Sequence, residues 1–135
     1  MLSTESLSNT RTTVFALTGG ICLFYAIMAL ASGRPDPISF WIPGIAGLVA
    51  AGVLFVSSRI AGRKNALMAF DEGYARDARR AASASYWVAL FLYPAFGLLL
   101  ALRMIEPELT LAVMGTLTGA SYLLLQVWFD LRGRA

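Results

Sequence analysis

The sequence predicts an all-α polytopic membrane protein. Four transmembrane helices form two antiparallel hairpins, both termini are cytoplasmic, and residues 1–135 make a single membrane domain. Three observations point there. Apolar residue types make up 58% of the chain and charged types only 14%, against about 45–50% and about 25% in soluble domains. The apolar residues gather in four uncharged runs, each near the roughly 20 residues needed to cross a hydrocarbon core. Most basic residues lie on one side of those runs.

The runs cover 12–32, 39–58, 83–102 and 109–129, and none contains Asp, Glu, Lys or Arg. Span 1 ends in Ala29-Leu30-Ala31, which has the A-x-A form of a signal-peptidase site. Its apolar run is longer than the 7–15 residues typical of a signal h-region, so an uncleaved first span is expected. GRPDPI joins spans 1 and 2, and RMIEPE joins spans 3 and 4. Connections this short, with proline, make tight hairpins between antiparallel neighbours. The middle connection, 59–82, is longer and charged.

Orientation follows from the basic residues. Arg11, Arg59, Arg63, Lys64, Arg76, Arg79, Arg80, Arg132 and Arg134 lie on one side, and Arg34 and Arg103 on the other. The first group is expected in the cytoplasm. The net charge of +3 is therefore a topology signal. These residues border membrane segments rather than a folded basic face, so no nucleic-acid partner is expected. Compact size and short connections fit a bacterial cytoplasmic (inner) membrane.

The chain has no histidine and a single cysteine, Cys22. That excludes bis-His haem, His-containing zinc sites, Ser-His and Cys-His nucleophile pairs, and any intrachain disulfide. No cofactor or metal is expected. Asp71, Glu72 and Asp77 form a carboxylate cluster in 59–82, but their spacing suits helix capping and ion pairing, so the chain reads as no enzyme.

Within lipid, helices associate through small residues and interhelical hydrogen bonds. Gly44, Gly47 and Ala51 make a small-residue face on span 2, and Gly97 extends one on span 3. Gly115 and Gly119 form a GxxxG match on span 4. These residues are expected at helix-packing interfaces, within the bundle or with a partner. Thr18, Tyr25, Tyr93, Tyr122 and Gln126 recur at helical spacing and are candidates to line a polar cavity. Pro94 should kink span 3. Phe40, Trp41, Tyr86, Trp87, Trp128 and Phe129 mark the headgroup zones.

In the middle connection, Asp71 is placed to cap a helix running into span 3, with Glu72 in its first turn. Glu72–Arg76 and Asp77–Arg80 have ion-pair spacing. Arg76, Arg79 and Arg80 are candidates to hold anionic lipid headgroups; Asp71 and Glu72 are candidates to dock a partner.

In size and span count the chain resembles the small multidrug resistance exporters. That resemblance implies a small transporter or passive channel working as an oligomer. Those exporters carry an intramembrane glutamate in span 1, where the interior of this chain's span offers only Thr18, Cys22 and Tyr25. Charged residues inside a membrane mark ion and proton pathways, and all four spans lack them. The leading expectation is a non-enzymatic accessory, scaffold or assembly subunit. Its partners would be membrane lipids and either another membrane protein or further copies of itself.

Overall fold

A computed structural model describes residues 2–134 and contains four helices among them: α1 (Thr4–Ser32), α2 (Trp41–Ala69), α3 (Glu72–Ala101) and α4 (Pro107–Arg134). All four are long and apolar enough to cross a membrane. Each has 28 to 30 residues, or about 42–45 Å at 1.5 Å per residue. That exceeds a hydrocarbon core of about 30 Å. The surplus turns extend mainly beyond the basic end of the apolar runs.

The helix ends are specified locally. Ser3 caps α1 by accepting a 3.1 Å hydrogen bond from Ser6 N. Gly33 closes it at φ 67°, a left-handed conformation that suits glycine. Asp71 caps α3 by accepting from Tyr74 N at 3.0 Å, as its spacing predicts. Pro107 opens α4, with Glu108 in the first turn and Arg132 and Arg134 in the last, matching the helix dipole.

The middle connection is almost wholly helical: its second part is the helix that Asp71 caps, and its first part continues α2. Its residues are helical except for a two-residue link, Phe70-Asp71, between α2 and α3. The sharp change of direction falls inside α2, at Gly62, where φ is 81° and ψ is 161°. Only glycine enters that region freely. The helical backbone meanwhile runs unbroken through Pro94. Beyond Gly62 the short helical arm packs across the start of α1. Asn65 Nδ2 donates to the Leu2 carbonyl at 3.1 Å, and Leu7 is buried with Ala61 and Ala69.

This arm explains the helix order. α1 packs against α2 and α4, and α3 packs against α4. The contacts therefore run α2–α1–α4–α3, although α2 leads directly into α3 in sequence. At the end opposite the termini, Ala26 and Ala29 of α1, Phe96 of α3, and Leu109 and Val113 of α4 form the second buried cluster.

α1 packs tightly against α4 at Gly19. A Cβ there would lie 3.0 Å from Leu124 and 3.1 Å from Leu123. The expected glycine faces do not form this seam: at Gly44, Gly47, Gly97, Gly115 and Gly119 an added Cβ would meet nothing within 4 Å, and Ala51 is exposed. Large side chains occupy the contact positions instead. On α3, Leu92, Phe96 and Leu99 take the face toward the core, at i, i+4 and i+7, leaving Gly97 outside. Gly19→Leu should therefore overpack the α1–α4 contact and cost about 1–3 kcal/mol. Gly115→Leu should leave thermal unfolding in detergent unchanged.

Candidate functional site

The most structured polar site lies at the basic end, where all four helices meet at one side chain. Arg11 follows two turns of α1 and is only 3% exposed. Its Nη1 donates to the carbonyl of Ala69, in the last turn of α2. Its Nη2 donates to Asp130 Oδ1 of α4 at 3.0 Å and to Ser8 Oγ at 3.3 Å. The guanidinium stacks on Tyr74 of α3, 4.3 Å from the ring centroid, and lies 5.4 Å from the Phe70 ring. One cation thus satisfies an end carbonyl, pairs with a carboxylate and faces two π systems.

Asp130 is the matching hub. It also accepts from Thr12 Oγ1 and, at 2.7 Å, from Arg134 one turn further along α4. Arg134 in turn donates to Thr12 Oγ1 at 3.0 Å, so the last turn of α4 is fastened to the first turns of α1. Tyr74 lies before the apolar run of α3. Burial, with the nearby Tyr122 next in weight, raises its phenol above the ordinary value despite the opposing pull of Arg11. It stays neutral and presents its ring to the cation.

Chemically this is a clamp. The donors of Arg11 point into fixed protein acceptors, and Asp130 is shared by two guanidinium groups. The described residues hold no group of three or more His, Cys, Asp or Glu side chains placed for a metal ion. The sequence reading passed over this pair because Arg11 and Asp130 fall one residue outside the boundaries of spans 1 and 4. That same spacing was the available signal: in antiparallel helices it places both at one depth.

The predicted polar cavity does not assemble. Thr18 and Tyr25 are buried on α1, but the Tyr25 hydroxyl is used locally, donating to the Pro35 carbonyl at 2.6 Å. Tyr122 is half-buried. Tyr93 is 66% exposed on the outside of α3, because Leu92 and Phe96 hold the inward positions. Gln126 is 1% exposed, and neither its amide nitrogen nor its amide oxygen has a partner. A buried, unpaired amide costs about 1–3 kcal/mol. Gln126→Leu should therefore raise the unfolding temperature in detergent, and a lowered one would show that the amide has a partner.

The candidate docking residues lie on the first turns of α3. Asp71 is occupied as the cap, and Glu72 is exposed. The expected pairs Glu72–Arg76 and Asp77–Arg80 do not form; Arg76 instead approaches its neighbour Asp77 at 4.0 Å. Arg79 and Arg80 are exposed and have no ion pair among the described residues. Comparisons of the chain with protein family models, curated proteins and solved structures gave no match.

Proposed function

We propose that this chain is a small non-enzymatic integral membrane protein that acts as an accessory, scaffold or assembly subunit, within a larger membrane complex or a homo-oligomer. The observation that carries the reading is α2. Its most apolar stretch buries only Ala50 within the chain. Gly44 and Ala51 are exposed, and space is open at Gly44 and Gly47. Small residues on an uncovered membrane helix let a second helix approach closely.

The same reading orients the chain as two antiparallel hairpins in a bacterial inner membrane. Both termini and the α2–α3 link face the cytoplasm. The basic residues support this, as does the clamp that gathers Arg11, Ala69 and Asp130 at one end.

Direct extraction into polymer-bounded native nanodiscs, followed by mass measurement, tests the assembly role. The expected result is a particle containing more than one polypeptide, lost or reduced in Gly47→Leu/Ala51→Leu. A single chain surrounded only by lipid, for wild type and variant alike, would contradict it. Solute flux through the reconstituted protein would favour the transporter or channel reading instead.

A further inference from the structure

Three guanidinium groups line one groove at the foot of α3. The groove measures about 860 Å³ and is bordered by Glu72, Arg76, Arg79, Arg80 and Ser83, with Gly73 and Ala75. Arg76, Arg79 and Arg80 share a face at i, i+3 and i+4. Among the described residues, Arg79 and Arg80 make no hydrogen bond or ion pair, and Arg76 is 67% exposed with only the 4.0 Å approach to Asp77. Glu72 is the one carboxylate on the groove wall. Elsewhere at this end Arg11 and Arg134 are engaged in the clamp and Arg59 lies over the Phe55 ring at 4.9 Å, while Arg63, Lys64 and Arg132 are exposed on other helices. On α3 the exposed arginines stand together on one face, just before the helix enters its apolar run at Ser83.

We propose that this groove is a binding site for the phosphate headgroup of an anionic membrane lipid. Its depth argues for a lipid. The next turn carries Tyr86 and Trp87, 61% and 59% exposed, with ring centroids 6.3 Å apart. Exposed Trp and Tyr mark the headgroup level, so a phosphate held by Arg79 and Arg80 sits just above that level while its acyl chains run down the exposed side of α3. Phe91 and Leu98, 73% and 60% exposed, continue that apolar path. Arginine suits the task because its planar fork meets phosphate oxygens bidentately. Loose basic residues near an anionic leaflet attract lipid without discrimination; three on one groove wall, two of them unpaired, make a local site. This assignment needs α3 to cross a bilayer and does not depend on the assembly role.

The test uses the full chain in vesicles of equimolar phosphatidylglycerol and phosphatidylcholine. The protein is then extracted mildly and its retained lipids are counted by native mass spectrometry. Wild type should retain phosphatidylglycerol preferentially. Arg79→Gln/Arg80→Gln should lower that preference by about fivefold per charge removed. Arg63→Gln/Lys64→Gln, at the same end on α2, should leave it intact. An unchanged preference in the α3 variant, or an equal loss in the α2 variant, would overturn the site. Displacement of the retained lipid by soluble glycerol phosphate at comparable concentration would also overturn it, showing a phosphate site that does not select lipid. Unaltered thermal unfolding of both variants separates a lost site from a lost fold.

Discussion

Asp130→Ala is expected to destabilise the protein by about 3–5 kcal/mol, the cost of leaving a buried cation without its partner. Arg11 is 3% exposed and the Asp130 side chain 14%, so the cation left behind is poorly hydrated. The variant keeps the bond from Arg11 to the Ala69 carbonyl and the stacking on Tyr74, but two guanidinium groups then share a pocket without their counter-charge. Arg134 loses its anchor on α4 as well. Replacing both partners, as in Arg11→Met/Asp130→Leu, should recover much of the loss, because two apolar groups remove the desolvation penalty that the single variant exposes. Unfolding temperatures in one detergent check this. A double variant no more stable than Asp130→Ala would show that the packing of Arg11 on Tyr74 and Phe70 matters more than its charge.

Gly62→Ala is expected to cost about 1–3 kcal/mol, since an L side chain is forced into a region that only glycine occupies without strain. The loss should be localised. The arm beyond Gly62 carries Asn65, which bonds the Leu2 carbonyl, and Ala69, whose carbonyl accepts from Arg11. An alanine that straightens α2 removes both contacts and exposes the Phe70-Asp71 link to protease. Gly52→Ala is the control: Gly52 lies in regular helix with nothing within 4 Å of an added Cβ, so it should be neutral or slightly stabilising, helix interiors favouring alanine. Equal effects at positions 52 and 62 would contradict the role given to the Gly62 bend.

Much of this architecture is legible in the sequence, because lipid makes a strong demand that composition records. Every backbone polar group in the hydrocarbon must be satisfied internally, so four uncharged runs announce four helices. Caps are equally local, and Asp71 is an instance. The bend at Gly62 is less visible, since a lone glycine beside Arg63 reads as the end of a span. Which faces pack inside the chain is less legible for a different reason. Small-residue stripes mark where helices can approach, but in this chain Leu92, Phe96, Leu109 and Val113 fill the space between helices. Gly19 is the glycine that presses on a neighbouring helix, with an added Cβ 3.0 Å from Leu124. The candidate sites are half-legible: the sequence marks the arginines of α3 as candidates by their spacing, while the Arg11–Asp130 clamp depends on bringing together residues 119 positions apart.

An assembly role requires another protein chain over the small-residue face of α2. Photo-crosslinking in native membranes tests this, with a photoreactive residue at Ala51 and, as control, at Val49 on another side of the helix. Protein–protein crosslinks are expected from position 51 that involve one defined species, either a second copy or one constant partner, and far fewer from position 49. Lipid adducts alone from both positions would contradict it.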